Sequence, residues 1–420
     1  MSAEALDNKT DDIESETSLP DGGLRVLSLS CVYPNARDSN LGLFVWSRLR
    51  HLSDWAEVKV IAPIPQIDYS RSRVGRGAIP KKEWDGPIET FRPAWIYPPG
   101  GYAANPIFLF LRLLPLVAGL RNRYGFHVID AHFAFPDGIA ASVLSRALGV
   151  PFTVTLRGNE TMHACYPWRR RLMAWSLKKA SAIFTLSEEL KRFAISLGVD
   201  EARVRVVPNG IDTETFYERD RSQCRQKHSI RQDRKLILSA GALIERKGHH
   251  RVMQALASLL REKLKVELII AGGRGREGQY ENEIRKQVIE LGLQANVRIV
   301  GEVSPGELAE FMCAADVFCL ASSREGWPNV IHEAMACGVP VVATRVGAIE
   351  DMIPSADYGL IVPSGDSAAL ARALQDALGK KWNGTAIATR AHSRTWTQVA
   401  KEVFEILRKE TAAGRAPGGI

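Results

Sequence analysis

Short apolar runs alternate with longer amphipathic stretches along most of the chain. Residues 24–30, 58–62, 128–131, 152–155, 182–186 and 204–207 are brief runs rich in Val, Ile, Leu and Phe, which predict buried strands. Between them, helical spacing starts at Leu43, runs from about 103 to Tyr124, from 138 to 148 and from 168 to 180, and opens again at Ser187, a capping serine. Residues 63–102, rich in Pro, Gly and Arg, read as one long loop. Near-continuous apolar strands separated by helices predict a parallel sheet covered on both faces.

The pattern breaks at the turn Val207-Pro208-Asn209-Gly210 and at the charged stretch 212–234, then restarts. Strands are expected at 236–240, 267–273, 297–300, 317–320 and 339–343, with helices following Gly248 and opening near Pro305, Asn329 and Asp366. The fold class expected is α/β: two Rossmann-like domains facing each other across a cleft, where such architectures bind ligands. The division is an acidic disordered tail at 1–22, an acceptor-side domain at 23–208 and a nucleotide-sugar domain at 209–390. A helix at 391–410 packs back across the domains, and 411–420 forms a flexible tail.

Composition narrows the class. With 420 residues, 45% hydrophobic and 24% charged, the chain is neither disordered nor a polytopic membrane protein. The net charge of +8 hides an asymmetry: residues 1–21 carry seven acids against Lys9, a net of −6, which leaves +14 on the remainder. That body suits nucleic acid, phosphorylated small molecules or an acidic membrane surface, and charge alone does not choose among them. Six scattered cysteines without a Cys-x-x-Cys pair argue against a disulfide framework or zinc site and for a cytoplasmic setting. The acidic amino terminus is unlike a signal peptide, and the apolar segment 106–120 is interrupted by Arg112 and Pro115, so no spanning helix is expected.

The strongest chemical signal is the run from Ser322 to Ala343. Glu325 lies in a loop after a strand, and Glu333 lies eight residues on, inside the following helix. A helix amino terminus near Asn329 offers free N–H groups to a phosphate. A carboxylate one turn further in can accept two ribose hydroxyls, and the loop carboxylate can reach a sugar. Arg246 and Lys247 precede another helix, where cations can neutralise a departing diphosphate. In the first half, His132 ends a strand and precedes the helix opening at Gly138.

On these residues the chain resembles glycosyltransferase family 4, retaining enzymes of the GT-B fold. The resemblance runs from Leu24 onward and rests on Glu325-Gly326-x-Pro328 with Glu333, on Ala334-Met335-Ala336 with Gly338 and Pro340, on Val207-Pro208-Asn209-Gly210-Ile211-Asp212 and on Arg246-Lys247-Gly248. It implies that Glu325 contacts the donor sugar, that Glu333 holds the ribose, and that amides from Gly326 to Val330, including Asn329, hold phosphate and sugar. It places the active-site histidine at His132 beside the reacting sugar, the diphosphate-approaching glycine at Gly42, and a second cleft loop at 155–160 with Arg157 and Glu160. Where the family carries an arginine after the first glycine, this chain reads Gly241-Ala242, and Arg246 is expected to supply that charge.

The resulting expectation is a retaining transferase moving a sugar from a nucleoside diphosphate sugar to a glycan or lipid-linked acceptor in cell-envelope or exopolysaccharide synthesis. No cofactor or metal is expected, and no nucleic acid, since the basic body lacks a recognition motif. Within 168–179, Trp168, Leu172 and Trp175 share a stripe flanked by Arg and Lys, which suits either packing on a core or contact with an anionic membrane at the inner face of the plasma membrane. The alternatives are a nucleotide-sugar epimerase of similar build, needing no acceptor, and a basic nucleic-acid-binding protein, which the missing recognition motif disfavours.

Overall fold

The computed structural model describes residues 23–66, 68, 78–97, 104–275 and 280–413. The acidic tail at 1–22 and residues 414–420 lie outside the described residues. The first half holds β1 (Arg25–Leu29), β2 (Glu57–Ile61), β3 (Ile64–Pro65), β4 (Lys82–Asp85), β5 (Ile88–Phe91), β6 (Ala94–Trp95), β7 (Val128–His132), β8 (Phe152–Leu156), β9 (Ala182–Thr185) and β10 (Val204–Val206). Eight of these form one sheet in the order β10-β9-β8-β7-β1-β2-β5-β4, parallel except for β4. β7 and β8 are buried at every residue, as strands covered on both faces must be.

The segment 63–102 is not one loop. β4 and β5 form a hairpin in which Asp85 pairs with Ile88 across Gly86-Pro87. Gly86 takes φ +56, the positive φ that a two-residue turn asks of its first position and that a glycine supplies without strain.

The second half holds β11 (Lys235–Ala240), β12 (Val266–Ala271), β13 (Val297–Gly301), β14 (Val317–Leu320), β15 (Val341–Thr344) and β16 (Gly359–Val362), in the order β13-β12-β11-β14-β15-β16 and parallel throughout. Both sheets reverse their strand order beside their first strand, at β7/β1 and at β11/β14. Loops leaving the carboxyl ends of strands at such a point diverge and open a crevice. His132 ends a strand that borders one of these two points, and Lys247 and Glu325 follow the two strands that border the other.

The chain crosses between the halves twice, and the crossings touch. Ile211 N–H donates to Arg394 O at 2.9 Å, and a Cβ on Gly210 would lie 2.4 Å from Trp396 N. The helix expected at 391–410 runs instead over Trp396–Ala413, because 393–395 form the crossing and a Thr395–Gln398 capping box starts the helix there. Its Trp396, Val399, Val403 and Leu407 repeat at helical spacing and pack with Val45, Leu49 and Leu52 of the first half. A preceding helix, Gly384–His392, stays with the second half through Ile387 and Ala391.

Candidate active site

Gly248 explains how the cations meet Glu325. It has φ +76, and a Cβ there would sit 1.9 Å from Ala321 O. Only a glycine lets the turn Glu245–Lys247, after β11, press against the loop after β14. Lys247 Nζ then lies 2.7 Å from Glu325 Oε1 and Arg246 Nη1 lies 3.4 Å from Oε2, while Ser322 Oγ donates to Oε1 at 2.7 Å. Two cations thus converge on one carboxylate beside the start of the helix that follows, a place where positive side chains can stabilise a leaving anion. Ser322 was not singled out by sequence reasoning, because a serine beside a motif has no signature of its own.

The helix Asn329–Ala336 begins without a side-chain cap on its first N–H groups, and no acid stands in its first turn. Asn209, from the linker, donates to Asn329 Oδ1 at 2.9 Å. Ile331, Ala334 and Met335 are buried on the core side, which turns Glu333 toward the cleft wall half-buried. Burial and the Asp212 carboxylate push Glu333 up to about 7, against the pull of Lys247.

His132, expected beside a sugar, is buried at the carboxyl end of β7. It is 0% exposed, and its ring is engaged on both sides: Arg157 Nη2 at 2.9 Å from Nδ1, Ser28 Oγ at 3.1 Å and Arg48 Nη2 at 3.3 Å from Nε2. Since Nδ1 faces a guanidinium that can only donate, the ring proton is assigned to Nε2, toward Ser28 Oγ and the Asp130 carboxylate 3.6 Å away. Arg48, which sequence reasoning missed, grips Asp130 Oδ2 at 2.5 Å and Thr155 Oγ1 at 2.7 Å beneath it. Burial and the two flanking guanidiniums hold the His132 pKa well below the usual histidine range. A kcat profile measured from about pH 5.5 to 9 is therefore expected to show no limb that disappears in His132→Gln. A limb lost in that variant contradicts this assignment.

Glu160 and Gly42 both have local structural roles. Glu160 is not a cleft ligand: its buried carboxylate accepts from the backbone N–H groups of Ala134, Arg157 and Gly158 at 3.2, 3.1 and 2.7 Å, bracing the loop after β8. Gly42 starts the first helix at φ +67, and a Cβ would lie 2.4 Å from Val32 O, so the loop's own packing demands this glycine. Arg157 stays in the cleft with its guanidinium 4.9 Å from the Phe44 ring.

The halves meet at two glycines. A Cβ on Gly326 would lie 2.2 Å from Arg157 O, and one on Gly158 would lie 2.6 Å from Gly326 Cα. Asn40 also donates to Glu302 Oε1 at 2.5 Å across the cleft. Gly326→Ala must hold the halves apart, and a displacement near 1 Å costs roughly 10²-fold in rate. Steady-state kinetics should show that loss with a melting temperature close to wild type.

The stripe expected to meet a membrane is partly used up. In the helix Pro167–Leu177, Met173 and Leu177 are buried and Trp168 and Leu172 pack half-buried on the same core. Trp168 lies edge-on to Phe135 with centroids 6.0 Å apart, which leaves Trp175, 41% exposed with Lys179 over its ring, as the outward-facing tryptophan of the two.

Two facing parallel sheets with a cationic corner, an uncapped helix start and a glycine seam define a GT-B glycosyltransferase. The likeness extends to solved structures: sucrose-phosphate synthase from Thermosynechococcus elongatus superposes with a TM-score of 0.79 at 20% identity, covering 93% of this chain and 100% of that one. Anabaena HepE in complex with UDP gives 0.71 at 20% identity, over 92% and 100%. Among sequences, TuaC of Bacillus subtilis, assigned as a teichuronic acid biosynthesis glycosyltransferase, is 25% identical over 407 residues, 93% of this chain and 96% of TuaC. Residues 44–215 match the family described as Glycosyltransferase Family 4, and residues 220–394 match Glycosyl transferases group 1. The chain belongs to the family 4, group 1 glycosyltransferases.

Proposed function

We propose that the protein is a retaining enzyme that moves a sugar from a nucleoside diphosphate sugar to an acceptor hydroxyl during cell-envelope or exopolysaccharide assembly. The observation that carries this is Glu325 held between Lys247, Arg246 and Ser322, with Glu333 one helix turn beyond a free helix start. Lys247, Arg246 and the helix start stabilise the departing diphosphate. Its oxygen takes the acceptor proton as the acceptor oxygen bonds to the anomeric carbon on the face the diphosphate leaves.

The buried carboxylates of the first half support retention without a covalent intermediate. Asp130 is held by Arg48 and Thr153, Asp137 by Cys31 N–H, and Glu160 by three backbone amides, so none is poised as a nucleophile. A hollow of about 330 Å³ beside Glu325, bordered by Thr161, Ser187 and Glu189 and by Arg324 and Arg345, has the mixed polarity a glycan acceptor needs. The assignment of TuaC favours an envelope glycan. We expect no divalent metal to be needed, and full loss of activity in chelator would count against this.

A melting screen across nucleoside diphosphates and their sugars tests the donor class, since a specific ligand stabilises by mass action. One base is expected to raise the melting temperature in wild type and not in Glu333→Ala; no shift with any of them contradicts the reading. Incubation with donor alone separates the epimerase alternative, which would return a donor of altered configuration. No described helix is long and apolar enough to cross a membrane. Trp175 and the exposed Arg170, Arg171, Lys178 and Lys179 support contact with an anionic surface. Sedimentation with acidic vesicles should show binding at low salt that fades at high salt, and no binding at low salt removes the membrane from the account.

A further inference from the structure

Arg157 differs from Arg48, Arg92 and Arg225, which are also deeply buried. Arg48 holds Asp130, Arg92 holds Glu83 and Arg225 holds Asp316. Arg157, 7% exposed, has only neutral partners: His132 Nδ1 at 2.9 Å, Asn209 Oδ1 at a long 3.3 Å and the face of Phe44. Its Nε–H has no acceptor, and among the described residues no carboxylate oxygen lies within ion-pair distance of its guanidinium. A buried cation left in this state is costly unless an anion completes it.

The surroundings say where that anion enters. Asn209, bonded to Arg157 on one side, is bonded on the other to Asn329 at the uncapped start of the helix Asn329–Ala336. Phe44 follows Gly42 at the start of the helix Leu43–Leu52. The guanidinium therefore lies between the starts of one helix from each half, at the seam where the halves close, and both starts favour negative charge. Neutral His132, anchored by Ser28 and Arg48, holds the guanidinium at Nη2, and the buried Nε–H is the donor left without an acceptor.

We infer that Arg157 binds phosphoryl oxygens of a substrate in the cleft, an inference that rests on the donor reading above. A phosphate there could belong to the donor's diphosphate or to a phosphorylated acceptor. The two sources are separated by titrating the full-length protein and Arg157→Gln with UDP, GDP and ADP, then titrating inorganic phosphate into each protein saturated with its preferred diphosphate.

Loss of a charge-assisted pair of bonds is expected to weaken binding of the diphosphate roughly 10- to 100-fold if the donor is the source. If the acceptor is the source, diphosphate affinity stays and binding of inorganic phosphate is lost. In either case ligand-free Arg157→Gln should melt at or above the wild-type temperature, because a buried charge that feels Asp130 and Glu160 only from beyond ion-pair distance has gone while Gln still donates toward His132. Arg157→Lys, which keeps the charge with a shorter reach, should fall between. Unchanged affinity for both probes overturns the inference. So does an Arg157→Gln protein that unfolds or melts well below wild type while Arg157→Lys binds both probes normally, because Arg157 is then a structural residue.

Discussion

Lys247→Ala is expected to lower the rate of sugar transfer by roughly 10²- to 10³-fold, the loss typical of removing one preorganised group from developing charge. Lys247 is held where it acts by Gly248, whose missing side chain lets the turn approach Ala321 O. Its ammonium sits 2.7 Å from Glu325, the carboxylate expected to touch the sugar, so it lies where sugar and diphosphate part. The loss should fall mainly on kcat, since charge on the leaving group grows as the bond breaks. Donor affinity should also weaken, and the same direction is expected for Arg246→Ala. Folding should change little, because Lys247 is only one arm of a partly exposed network in which Ser322 and Arg246 still hold Glu325. Kinetics with saturating donor check this; wild-type kcat and donor affinity in both variants would remove the two cations from the site.

The second large effect concerns Glu333. Glu333→Gln should weaken nucleotide binding roughly 10- to 100-fold, since an ionised carboxylate accepts two ribose hydroxyls while an amide oxygen accepts more weakly. The pH dependence follows from its pKa near 7, raised by burial and Asp212. As pH falls through 7 the carboxylate takes a proton and nucleotide affinity should decline, a decline absent in the variant.

Stability runs the other way. A carboxyl whose pKa is raised on folding binds its proton more tightly in the folded state, so its contribution is most favourable at low pH. That contribution should fall as pH rises from the ordinary carboxylate value near 4.5 to about 7. Titration calorimetry and melting curves across that window, in wild type and Glu333→Gln, measure both slopes. A nucleotide affinity independent of pH would place the ribose elsewhere.

The sequence carried the layer structure well because buried parallel strands are uninterrupted apolar runs. Val128–His132 and Val317–Leu320 are legible without a structure. It failed where strands were short and amphipathic: β4, Lys82–Asp85, has no buried residue, and only Gly86-Pro87 marked its hairpin. The glutamate pair was legible as a pair because both residues lie at a set spacing from a predicted helix start, which the structure places at Asn329. His132 and Glu160 were not, because sequence position places a side chain at a strand end without saying which buried donors reach it first. Arg48 and Asn209 escaped for the same reason, since their partners lie 82 and 120 residues away, at Asp130 and Asn329.

Sugar transfer with retention is tested most directly by proton NMR of the first product formed from the nucleotide sugar that stabilises the protein. Even a slow reaction with water as acceptor serves, if read before the free sugar equilibrates. The account predicts free nucleoside diphosphate and a sugar that first appears with the donor's own anomeric configuration. An inverted anomer, or a donor epimerised without release of nucleoside diphosphate, would contradict it.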